Sequence, residues 1–191
     1  MHKAPPQYRV ERRPYRGVRD TVRHMVDFVQ VGQTQREVRN AAIEAIKDVY
    51  PHDYASELAA IYYDACRRVR YVRDPANAEM LHEPAATLRT GAGDCDDMAV
   101  VLGGMLRAAS SEQKRTAQLG AVAASAGSHV QVVTAGFDSK HGEHSHTFLR
   151  VWEPHAGAWV VLDPVAGPHV SEMISRARSY RAVDVPDKRR G

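Results

Sequence analysis

Two cysteines in 191 residues are too few for the disulfide framework of a small secreted scaffold, and Cys66 and Cys95 sit in unlike local contexts, so both are expected as reduced thiols. No apolar run approaches the roughly 20 residues that a membrane-spanning helix requires, which leaves no membrane partner and points to a protein that stays in water. The leading residues 1–13 are polar, proline-bearing and basic, without the apolar stretch of a secretory signal, and a cytoplasmic protein is the expectation. Net charge is small as well. The formal balance is +3, and the excess collects in Arg9, Arg12, Arg13, Arg16 and Arg19 at one end and Lys188, Arg189 and Arg190 at the other. Such ends read as solvated tails, which argues against nucleic acid as a partner. Internal repeats are absent. Gly91-Ala92-Gly93 is too short to cradle a phosphate, and Asp94-Cys95-Asp96-Asp97 fails as a calcium loop because Met98 falls where an oxygen ligand is required.

What is present fits one domain, long enough to bury a core and too short for two. Val18, Val22, Met25, Val26 and Val29 recur at helical spacing, giving an amphipathic helix over 18–31 that Gly32 ends. Thr34 with Glu37 forms a capping box for a second helix, lined by Val38, Ala42, Ala45, Ile46 and Val49 and closed by Pro51. Asp53 or Ser56 caps a third, with a buried stripe of Leu58, Ile61, Tyr62, Ala65 and Val69, ending near Tyr71. The prolines and glycines of 74–93 predict irregular chain with at most a short helical turn. A helix then runs from Cys95 to about Ala109, and an alanine-rich one over 112–126. Beyond Ser128 the period changes to that of strands over 129–137, 146–152 and 158–163, the last two joined by a hairpin loop at 153–157. Helices before strands imply an α+β fold. The chain divides into a basic lead (1–17), a helical extension (18–52), a core (53–166) and a tail (167–191) with a helix near 171–178.

Gly91-Ala92-Gly93-Asp94-Cys95 places a thiol in the first turn of a helix, behind glycines that let a substrate approach the backbone. A helix N-terminus favours a thiolate, and its unpaired N–H groups can receive an oxyanion, with Gly93 and Asp94 positioned to shape that pocket. Asp94, Asp96 and Asp97 oppose ionisation by placing negative charge beside the sulfur. An imidazolium resolves the conflict, and an acid must orient that ring. His146 starts one hairpin strand and Asp163 ends the next, so both reach the same end of the sheet. By strand parity His146 shares a face with Phe148, Arg150 and Trp152, and closure onto Cys95 requires that face to turn toward the Cys95 helix. Cys66, inside a helix, reads as an inert core residue. His141, His144 and His146 form an alternative cluster of metal-ligating type. Trp152 and Trp159 read as hairpin packing.

Gly93-Asp94-Cys95 opening an apolar helix, His146-Thr147-Phe148-Leu149 opening a strand, and Trp159-Val160-Val161-Leu162-Asp163-Pro164 together resemble the transglutaminase-like core in order and spacing, over about Ile61 to Pro164. The resemblance implies a papain-like arrangement, with a nucleophile-bearing helix packed on a small antiparallel sheet. It also implies Cys95 as nucleophile, His146 as general base and acid, and Asp163 as the orienting carboxylate, with no cofactor and no metal. The small single-domain form is similar to bacterial and bacteriophage members. The activity it implies is thiol-dependent acyl transfer, foremost a cysteine peptidase or amidase acting on a protein or peptide, with glutamine cross-linking as a lesser form. The alternative is a non-catalytic structural or binding protein on the same fold, such as a virion-associated subunit that meets other proteins of an assembly.

Overall fold

The computed structural model describes residues 10–13, 17–50, 53–75, 79–113, 129–137, 145–153, 156–167 and 170–186. Among them are six helices and eight strands, an α+β architecture. Helices α1 (Val18–Gly32), α2 (Arg36–Ile46) and α3 (Tyr54–Arg68) come first, preceded by a short strand β1 (Val10–Arg13). Asp53 caps α3, its carboxylate accepting from the Ser56 N–H at 3.2 Å and the Ser56 hydroxyl at 2.7 Å. The capping box expected at Thr34 does not form. Gln35 is the N-cap of α2, and the Thr34 hydroxyl donates back to the Val31 carbonyl at 2.8 Å, finishing α1 instead. Gly32 stays helical and buried: a Cβ there would lie 2.7 Å from Pro84 Cγ and 3.2 Å from Gly104 Cα.

The segment read as irregular is more ordered than its prolines and glycines indicate. After β2 (Arg70–Tyr71), which ends α3 short of Tyr71, come β3 (Glu79–His82), α4 (Pro84–Thr90) and β4 (Ala92–Gly93). Pro84 opens α4 at the position where a missing N–H costs nothing, and Gly91 closes it at φ 65°, a left-handed conformation open to glycine. The breakers there punctuate short elements. Helix α5 (Cys95–Gln113) outlasts its expected end at Ala109. Residues 112–113 of the alanine-rich helix belong to α5, and 114–126 fall outside the described residues, as do His141 and His144.

The main sheet has the order β7-β6-β5-β8, antiparallel throughout, from β5 (Val130–Gly136), β6 (His146–Glu153), β7 (Ala158–Leu162) and β8 (Ser179–Asp184). The expected β6–β7 hairpin is present, pairing Leu149 with Leu162 and Trp152 with Trp159, the two indoles edge to face at 5.7 Å. β8 and the short helix α6 (Val170–Arg176) form the tail, where the sequence pattern indicates only the helix. Alternation splits the sheet into two faces. Val130, Val132, Leu149, Val151 and Leu162 join the core built on α1 to α5, while Val133, Ala135 and Phe148 form a second cluster under Met173 and Ile174 of α6. Two small ribbons, β1 with β3 antiparallel and β2 with β4 parallel, flank the start of α5.

Candidate active site

Asp94 is the residue that starts α5. Its carboxylate Oδ1 accepts the N–H groups of Asp96 and Asp97 at 3.0 and 3.2 Å, and its carbonyl accepts from Met98 at 3.0 Å, so two first-turn amides are capped by this side chain. Gly93 is required for packing. A Cβ on it would meet Asp97 Cβ at 2.5 Å and Asp97 Oδ2 at 2.8 Å, and its carbonyl accepts the Val72 N–H at 2.8 Å, tying the turn to the chain leaving β2. Cys95 follows as the first helical residue, partly buried, its thiol donating to Asp96 Oδ1 at 3.6 Å.

The imidazole and the carboxylate expected to serve that thiol meet each other. His146 opens β6 and Asp163 follows the last residue of β7, and His146 Nε2 lies 2.6 Å from Asp163 Oδ2. Asp163 is held from every side: its other oxygen accepts the N–H groups of Val165 and Ala166, both at 2.8 Å, and its carbonyl accepts the Tyr62 hydroxyl of α3 at 2.8 Å. The carboxylate is fully buried, so its orientation is fixed by hydrogen bonds that leave one oxygen for the ring.

The strand face that His146 shares with Phe148 does not turn toward α5. Phe148, two residues on, packs in the cluster under α6, whereas Leu149 and Val151 face α5. The sulfur meets β6 at the strand's end, where the Thr147 N–H points at it and favours the thiolate. That amide is available for a topological reason. Trp152 N–H donates to His129 on the β5 side, so the odd-numbered N–H groups of β6 turn toward β7. Register places Thr147 beyond Leu162, the last residue of β7, so no carbonyl of that strand pairs with it.

Electrostatics at the mouth of α5 oppose ionisation in the resting state. Sγ and one carboxylate oxygen each of Asp94 and Asp96 lie within 4.8 Å of one another, and a charge at that distance acts on the sulfur with about 3 kcal/mol at an effective dielectric constant of about 20. The helix end offers about 1 kcal/mol in return. The carboxylates win: burial first, then Asp96 and Asp94, push the Cys95 thiol far up. Burial, with Asp96 and Asp97 behind it, pushes the Asp94 carboxyl up to about 8, which weakens its opposition to the thiolate.

Three features of this region carry no signal in the sequence pattern. Tyr62 reads as core, yet its hydroxyl holds the Asp163 carbonyl. Tyr71 lies near Cys95, its phenol pushed up by burial and then by Cys95 and Asp94, and with Val72 it is an exposed apolar side chain there. His82 is bound to Asp97, a pairing of residues 15 apart that no periodicity reveals. Cys66 Sγ lies 3.9 Å from the Pro164 carbonyl, behind the Asp163 turn, and burial pushes its thiol up.

Residues 40–164, more than half of the chain, match the family model described as Transglutaminase-like superfamily, from within α2 to the residue after Asp163. Searches of curated proteins and of solved structures give no match. No helix among the described residues is long and apolar enough to cross a membrane.

Proposed function

This chain belongs to the transglutaminase-like superfamily, and we propose that within it the protein is a thiol-dependent acyl-transfer enzyme, a cysteine peptidase or amidase using Cys95, His146 and Asp163. The observation that carries the reading is the 2.6 Å contact between His146 Nε2 and a buried Asp163 oxygen at the end of the strand whose next amide faces Cys95. With Nε2 committed to Asp163, Nδ1 is the ring nitrogen left to take the thiol proton. For this transfer the sulfur has to leave Asp96 Oδ1 for that nitrogen, by rotation about the Cys95 χ1 angle. The thiolate then attacks a peptide or amide carbonyl, forming the S–C bond. The Cys95 N–H, the first-turn amide that Asp94 does not cap, and the turn shaped by Gly93 and Asp94 receive the oxyanion. As the C–N bond breaks, His146 gives the proton to the departing amine. Water, deprotonated by the same ring, releases the acid and returns the thiol; an amine in its place gives cross-linking.

A protein or peptide is the substrate class this chemistry implies. The raised, Asp96-bound thiol favours a second reading, a non-catalytic structural or binding member of the family. Intact-mass analysis after dilute iodoacetamide, on the wild type, Cys95→Ala and His146→Ala, separates the two. The enzyme reading expects Cys95 to label faster than Cys66 and to slow when His146 is removed. Labelling at Cys95 no faster than at Cys66, or indifferent to His146→Ala, sinks it.

A further inference from the structure

A second histidine and a second aspartate meet beside the nucleophile. Asp97, two residues after Cys95 on the first turn of α5, is 1% exposed. Its Oδ1 accepts the backbone N–H of His82 at 2.8 Å and its Oδ2 lies 2.8 Å from His82 Nδ1. The same carboxylate packs on Gly93 so closely that no side chain fits there. One group therefore ties together the ribbon strand β3, the turn before Cys95 and the helix that carries it. A buried carboxylate is stabilised by a positive partner, and His82 Nδ1 stands where an imidazolium supplies one. The acids facing His82 are Asp97 on α5, Asp94 at its cap and Asp74 after β2; the Asp74 carboxylate also accepts the Met80 N–H at 2.6 Å. All three favour the imidazolium.

We infer that His82 and Asp97 are a positioning pair for the nucleophile: the imidazolium held on Asp97 offsets the carboxylates crowding the mouth of α5 and sets how readily Cys95 gives up its proton. The inference takes Cys95 as the nucleophile, the reading proposed above, and adds a positive charge distinct from His146. Consistent with it, His82 titrates above its ordinary value, through its bond to Asp97 first. A merely structural role would leave the ionisation of Cys95 untouched; an electrostatic one moves it in a direction that depends on net charge.

The test follows the rate of Cys95 alkylation by iodoacetamide from pH 5 to 10, located by peptide mapping, in the wild type, His82→Gln, Asp97→Asn and the double variant. That range lies on the rising limb below the raised thiol's midpoint, where a tenfold change in rate reads as a shift of about one unit. His82→Gln leaves Asp97 without its counter-charge and is expected to move the midpoint up by about one pH unit, about a tenfold slower reaction at pH 7. Asp97→Asn removes a carboxylate and is expected to move it down, and the double variant, which loses one charge of each sign, to return it near the wild type. A midpoint unmoved in folded His82→Gln overturns the inference. So does a double variant shifted as far upward as His82→Gln, and if His82→Gln does not fold, an Asp97→Asn midpoint that fails to fall does the same. Labelling insensitive to His146→Ala would sink the enzyme reading while leaving this comparison of midpoints intact.

Discussion

Cys95 owes its resting state to the residue that follows it. Asp96 accepts the thiol proton at 3.6 Å and is among the causes that hold it there. Asp96→Asn keeps the shape and removes the charge, so the pH midpoint of Cys95 alkylation should fall by about one unit or more; an unchanged or higher midpoint would show that Asp96 does not oppose ionisation. Tyr62 acts on the other partner. Tyr62→Phe deletes the hydrogen bond to the Asp163 carbonyl, with an expected loss of about 1 kcal/mol in urea unfolding and a lower kcat; wild-type kcat on any substrate found would show that the Asp163 turn holds itself. At this scale the sequence is informative wherever a side chain defines its own context. Cys95 opens an apolar helix, His146 opens one strand and Asp163 follows the next, so each could be singled out as a candidate. The Thr147 contribution is a backbone N–H and has no residue type to betray it. His82 and Asp97 are ordinary in isolation, and only the chain's path through 74–93 brings them together.

Helices α1 and α5 approach through glycine. A Cβ on Gly103 would lie 2.9 Å from a Val29 methyl, and one on Gly104 would lie 3.5 Å from Gly32 Cα. Gly103→Val overfills this crossing and should cost about 1 to 3 kcal/mol of stability in urea titration, with a lower thermal midpoint; a variant as stable as the wild type would mean that the helices move apart freely. The elements with a long hydrophobic period, α1, α3, α5 and the β6–β7 hairpin, were readable because burial imposes that period. β2, β3, β4 and α4 are too short to show one. Thr34 misled for a related reason: the same hydroxyl can cap the next helix or finish the previous one, and tertiary placement decides between them. Parity fixes which side chains of β6 share a face but not which face meets α5.

Across the molecule, protons favour the folded state at neutral pH. Asp94 holds its proton to about 8 when folded against an ordinary 3.8, so its burial costs progressively more stability as pH rises between those values. His82 is raised above 6.5, so its stabilisation is complete below 6.5 and is lost as pH climbs through the folded value. Both slopes run the same way. The urea midpoint should fall from about pH 6 to 9, and Asp94→Asn, which still caps a helix, should flatten the fall; a midpoint that rises over this range would contradict the assignment of both groups. The sheet sets a limit of its own. β7 stops at Leu162, and the rung missing beyond it is the gap through which the sulfur reaches the Thr147 N–H. A zipper left open by one tooth can be closed by one. A strand continued past Asp163 would set a carbonyl opposite that amide and take from the thiolate the donor that favours it.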